Sequence, residues 1–182
     1  NCVEVSMLAY KAILEGQGLV FPRATPLPNL PDRIPNYIAT SESRLFTLDS
    51  SKKAKLLLLG HATFAKLVET LKSKKIPPYS HCIIFVNLDK MPGFGHALSG
   101  FWIPSETGEL NLYLYDAQGF LPYAWLHPEE FNKFYSVFKV FVYDSVKTQQ
   151  SLKVFIDRCK TEALLPSEEK PISSSAVAPT ES

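Results

Sequence analysis

Two runs suited to β-strands, His96 to Ile103 and Leu110 to Asp116, flank the turn sequence Pro104-Ser105-Glu106-Thr107-Gly108. Strands this close in sequence, joined by a Pro/Ser/Gly turn, pair as an antiparallel hairpin. A lone hairpin is marginal in water, so the rest of the chain has to cover its faces. With the turn centred near Glu106, His96 falls opposite Asp116 or Ala117. Opposed side chains sit about 5 Å apart at Cβ. An imidazole and a carboxylate placed this way can share a hydrogen bond that fixes the ring tautomer and stabilises its positive form. A slip of one residue would send the two groups to opposite faces. The commoner fate of such a pair is a cross-strand ion pair without chemistry.

The hairpin sits in a strand-rich half. His81 to Leu88 (HCIIFVNL) is β-branched and aromatic and ends at a Met91-Pro92-Gly93 turn; Val137 to Tyr143 gives a fourth strand after a short helix near Pro128 to Phe134. Thr148 or Gln149 to Leu164 reads as a closing helix. Upstream, Asn1 and Glu4 have the spacing of a capping box. Val3, Met7, Tyr10, Ile13 and Leu14 then follow at helical intervals until Gly16 and Gly18. Five prolines between Pro22 and Pro35 exclude a helix or central strand and predict an extended loop wrapping the domain. Asp49 or Ser50 is expected to cap a helical region running to about Lys75, interrupted at Gly60 and ended by Pro77-Pro78. Residues 1–165 thus form one domain. The Ser/Pro/Glu-rich remainder, 166–182, is expected to be a disordered tail.

Apolar residues at 46% and charged residues at 20% fit a globular domain. Nineteen basic against 18 acidic side chains leave a net charge of +1, which is no footprint for nucleic acid. The lysine clusters Lys52, Lys53, Lys55 and Lys72, Lys74, Lys75 read as solvated helix faces. The longest apolar run, Leu56 to Leu59, is far too short to span a bilayer. No signal peptide is evident, and a start at Asn1 suggests an excised domain or processed fragment. Three cysteines far apart do not make a disulfide framework, and no spacing suggests zinc.

Cys2 falls in the first turn of the N-terminal helix. The thiolate, not the thiol, is nucleophilic, and its formation is favoured by a helix N-terminus and by a nearby imidazolium. Cys2 has the first by position; packing the helix on the sheet would supply the second through His96. Cys82, in an apolar strand, and Cys159, in the closing helix, read as buried filler. Gly60-His61-Ala62 repeats the triplet Gly95-His96-Ala97, but no hairpin delivers an acid to His61. His81 and His127 read as surface or capping residues. Trp102, Phe120, Tyr123 and Trp125 are candidates for a substrate wall, although aromatics at this density are usually core.

Asn1-Cys2 opening a helix, Gly95-His96-Ala97 opening a strand, and Tyr115-Asp116-Ala117-Gln118-Gly119 closing the next resemble the papain-like bacterial toxins and effector glutamine deamidases. The resemblance spans about residues 1 to 120. It implies an α+β, papain-like fold in which the nucleophile helix packs on a small antiparallel sheet with flanking helices. It makes Cys2 the nucleophile, His96 the general base and acid, and Asp116 the orienter, with Gln118 bracing the segment or lining the pocket. Val5 stands where many members carry a second cysteine. The implied activity is cofactor-free and metal-free acyl transfer, favouring glutamine deamidation on a host protein by a secreted effector or toxin acting in the host cytoplasm; without secretion the protein would be cytoplasmic. A cysteine protease, a transglutaminase and a non-catalytic interaction domain on the same scaffold are the alternatives. Neither a nucleic-acid partner nor a membrane span is expected, and oligomeric state is left open.

Overall fold

A computed structural model of the chain describes residues 2–16, 42–91, 93, 95–116 and 125–162. The expected loop at 22–35, Asn1, Gln118 and the tail from 166 lie outside these residues. The described elements run α1 (Cys2–Leu14), α2 (42–46), β1 (Lys55–Ala62), α3 (Phe64–Ser73), β2 (Ser80–Leu88), β3 (Gly95–Pro104), β4 (Leu110–Tyr115), β5 (Trp125–Leu126), α4 (Pro128–Phe134), β6 (Tyr135–Tyr143) and α5 (Val146–Thr161).

The strands form one sheet in the order β1-β6-β2-β3-β4-β5, with every pair antiparallel. Alternation along the central strands sorts their side chains between two cores. Ile84, Val86, Leu98, Trp102, Leu112, Val140 and Val142 pack with Leu67 and Leu71 of α3 and Phe131 of α4. On the opposite face, Phe101, Ile103 and Tyr115 meet Val5, Ala9 and Ile13 of α1 and Leu152, Phe155 and Ile156 of α5. Beside them Met7 and Tyr10 of α1 pack with Ile83, Phe141 and Tyr143. Fully burying one such side chain contributes about 2 kcal/mol relative to leaving it exposed, so this helix is held by its two apolar stripes. The N-terminal helix on a small antiparallel sheet flanked by helices is the α+β arrangement expected from the sequence. Gly16, at φ +72°, ends α1 in the left-handed conformation that glycine adopts at least cost.

The expected helix from residue 49 to 75 is instead a strand followed by a helix. Asp49 accepts from the backbone N–H of Ser51 at 3.0 Å and closes a turn. Leu56 to Leu59 then forms an edge strand on β6. Helix α3 begins at Thr63, whose hydroxyl accepts from the Lys66 N–H. A short unbroken apolar run has no periodicity to separate strand from helix, and here pairing with β6 decides. The two-residue strand β5 was not foreseen, and α5 starts earlier than expected because Ser145 caps it, accepting from the Thr148 N–H at 3.1 Å.

Candidate active site

The β3–β4 ladder sets Ser99 opposite Tyr115 and Gly100 opposite Leu114, and Ser105 donates to Glu109 O at 2.7 Å. The turn is therefore centred on Thr107, one residue past Glu106. Extended past its last pair, this register brings Asp116 level with Leu98, so His96 and Asp116 are diagonal rather than opposed. The offset preserves parity, and diagonal neighbours remain within reach of long side chains. His96 Nε2 lies 2.9 Å from Asp116 Oδ2. Both groups are largely buried, with side chains 15% and 11% exposed.

Helix α1 brings its first turn to the start of β3. The Ser6 hydroxyl donates to Ala97 O at 3.4 Å, and the Ala97 N–H donates to the Cys2 thiol. The His96 imidazole lies close enough to the thiol to act on its ionisation. With Nε2 engaged by Asp116, Nδ1 is the ring nitrogen left for sulfur. Burial raises the Cys2 pKa, but the His96 hydrogen bond, the imidazolium charge and the Ala97 N–H outweigh it, and the thiol falls below its ordinary value. Burial likewise opposes charge on His96, yet hydrogen bonds to Asp116 and Cys2 and their negative charges push it up to about 10. Both shifts run in the direction of a thiolate–imidazolium pair.

The other thiols behave oppositely. Cys82 and Cys159 are buried, and burial pushes them up to about 12 and 11. They are the filler the sequence indicated. His61 is 79% exposed on β1, 3.9 Å from Asp89. His127 caps α4, its Nδ1 accepting from the Glu129 N–H at 3.3 Å. His81 is corrected: it is fully buried between Tyr10 and Phe101, neither surface nor capping. Trp102 is corrected too. Its ring lies in the core with Nε1 donating to Ile76 O at 3.0 Å, so it cannot wall a substrate cleft. Phe120, Tyr123 and Gln118 lie outside the described residues, as does the side chain of Trp125.

Tyr135, at the start of β6, was missed. Its ring stacks on His96 with centroids 6.1 Å apart and planes 27° apart. Burial and the charges of Asp116 and Cys2 push its hydroxyl up to about 12. Nothing in the sequence flags Tyr135, because the bulge in the β2–β6 register that sets its position is a tertiary feature. Among the described residues no cluster of His, Cys, Asp and Glu could hold a metal, and no helix is long and apolar enough to cross a membrane.

No protein-family model and no curated protein matches the chain. Among solved structures it is similar to a variant of the Salmonella effector SpvD, at 17% identity and a TM-score of 0.44. The match covers 67% of this chain and 57% of that one, so the chain spans less than two thirds of that protein.

Proposed function

We propose that this chain is a papain-like cysteine hydrolase with Cys2 as nucleophile, His96 as general base and acid, and Asp116 as orienter. The observation that carries the reading is the His96–Asp116 hydrogen bond beside a thiol whose pKa His96 lowers despite burial. The Cys2 thiolate attacks an amide carbonyl carbon. Backbone N–H groups of the helix start, that of Cys2 among them, hold the oxyanion. His96 protonates the departing nitrogen, the C–N bond breaks, and a thioester remains. His96 then takes a proton from water as it adds to the thioester, releasing the acid and restoring the thiol. Asp116 keeps the ring in the tautomer that each transfer needs.

The resemblance of the Asn1-Cys2, Gly95-His96-Ala97 and Asp116-Ala117-Gln118 segments to effector deamidases favours a glutamine side chain of a host protein as the amide, with glutamate and ammonia as products. A secreted effector acting in a host cell follows from the same resemblance. Mass spectrometry of host proteins incubated with the chain and with Cys2→Ser tests this. A Gln-to-Glu mass gain that requires Cys2 means deamidase, chain cleavage means protease, and a cross-link means transglutaminase. If Cys2 alkylates no faster than Cys159 near neutral pH, the scaffold serves a non-catalytic role.

A further inference from the structure

The two lysine clusters of the sequence do not simply solvate helix faces. Lys52 and Lys55 from one and Lys75 from the other converge with Lys147 on a cavity of about 650 Å³, also lined by Ser145, Gln149 and Asp144. We infer that this cavity binds a ligand carrying two or more phosphoryl groups. Its volume is that of an ordinary small-molecule site. It lies at the Tyr143 end of β6, about 26 Å along the strand from the Tyr135 end at the usual rise, and is independent of the Cys2 reading.

Charge is the first argument. Four lysines face one lining carboxylate, that of Asp144, which pairs with Lys52 at 2.9 Å and Lys55 at 2.7 Å. Those two cations already offset Asp144. The Asp49 carboxylate stands behind the lining residues Ser51 and Ser145. Lys75 and Lys147 make no ion pair among the described residues, so four lysines against two carboxylates still leave the cavity with an excess of positive charge among these residues.

Backbone conformation is the second. Helix α3 ends with Lys75 N–H donating to Lys72 O and Ile76 N–H to Leu71 O, the Schellman arrangement. The left-handed position it needs is held by Lys75 at φ +53°, where glycine is the usual occupant. The lysine is exposed there, so packing does not explain it. Its side chain lines the cavity. Strain held at a residue facing a binding site is the pattern expected when the side chain is needed for something other than stability.

The third is the set of donors beside the lysines. Ser145 takes the Thr148 N–H, and the Gln149 N–H bonds Ser145 O, so helix geometry leaves the Val146 and Lys147 N–H groups without an intrahelical acceptor. Both residues line the cavity. Several separate ammonium groups and two backbone donors fit several tetrahedral anions better than one carboxylate.

The test is isothermal titration calorimetry of the full chain with tripolyphosphate at physiological salt, repeated with the Lys75→Gly/Lys147→Gln variant. Glycine adopts the conformation at 75 without cost, so this variant keeps its fold, which unchanged Cys2 alkylation verifies. Saturable binding that weakens on the order of tenfold in the variant supports the site. A parallel arm measures retention on phosphatidylcholine vesicles with and without phosphatidylinositol bisphosphate. Lysine-dependent retention without binding of the soluble probe assigns the phosphoryl groups to a lipid headgroup. No binding in either arm, or binding that the variant leaves unchanged, overturns the inference.

Discussion

Two histidines lie buried on neighbouring strands, and the protein treats them in opposite ways. His81 on β2 sits in a cage of Tyr10, Phe101 and Tyr143, with ring centroids 4.7, 5.1 and 6.4 Å away. Neither of its nitrogens has a hydrogen-bond partner among the described residues. Burial alone drives it down to about 3, so it is neutral. His96 on β3 is nearly as enclosed but meets Asp116 and the Cys2 thiol and rises to about 10. Burial sets the penalty for charge in both cases, and the presence of a hydrogen-bonded anion decides the sign. One residue type gives a neutral core ring at one end of the sheet and a proton-holding ring at the other.

The largest effect expected from breaking this contrast is at the thiol. The His96 hydrogen bond and charge are the largest influences lowering the Cys2 pKa against burial, so His96→Ala should slow Cys2 alkylation at pH 6.5 by more than about tenfold. The pH profile should move up to that of an ordinary buried thiol. Iodoacetamide labelling followed by peptide mapping reads this directly, with Cys82 and Cys159 as internal references. Equal labelling of wild type and variant would remove the basis for any chemistry at this site.

The next effect falls on His81 and on stability. Its folded pKa lies below the unfolded value near 6.5, so the unfolded state takes up protons first as the solution is acidified. The contribution is fully present above about pH 6.5 and is lost as pH falls toward 3. At pH 4.5, about two units below the unfolded pKa, the loss is about 2–3 kcal/mol. Asp49 and Asp144, both held below the usual carboxylate range, add loss in the same direction. The readout is therefore the difference between wild type and His81→Phe in urea midpoint between pH 7 and pH 4.5. The variant keeps its stability better on acidification, since its ring cannot take a proton. Parallel pH slopes would mean that His81 reaches solvent in the folded protein.

The sequence made the site more legible than its surroundings. His96 and Asp116 were found because hairpin pairing is local: the turn centre lay one residue on, and the parity that puts both groups on one face still held. Cys2 was placed by helix capping and periodicity, which are also local. His81 was misread because its neighbours in sequence, Pro77-Pro78 and Ser80, look like a surface turn, whereas its burial comes from α1 and β6, far away along the chain. β1 was misread for a related reason, since four leucines carry no period and only the partner strand settles their state. Trp102 shares parity with His96 but lies six residues farther along β3, where α3 covers the sheet.

Asp116→Asn separates the two halves of what His96 receives. The amide can still accept a hydrogen bond but brings no charge, so the imidazolium is less favoured and Cys2 ionises at higher pH. Alkylation at pH 6.5 should slow about tenfold, corresponding to a shift of about one unit in the thiol midpoint. A loss as large as that of His96→Ala would mean that the carboxylate sets the ring's position as well as its charge.

Tyr135 should produce the smallest change and the most informative one about how the ring is held. Its own neighbours are Phe131 at 5.5 Å and Phe134 at 6.4 Å, so its ring links the core under α4 to the imidazole. At 6.1 Å and 27° the stack on His96 is loose, and its hydroxyl is buried among negative groups that oppose its ionisation. Tyr135→Phe keeps the ring and should leave the Cys2 alkylation profile unchanged. Tyr135→Leu removes the aromatic face and should slow alkylation only about two- to threefold, the scale of a weak aromatic contact. If Tyr135→Phe caused as large a loss as Tyr135→Leu, the hydroxyl would be the working group, and a third polar partner would join His96 and Asp116 around the sulfur. The unequal treatment of the two buried histidines would then depend on a neutral donor as well as on an anion.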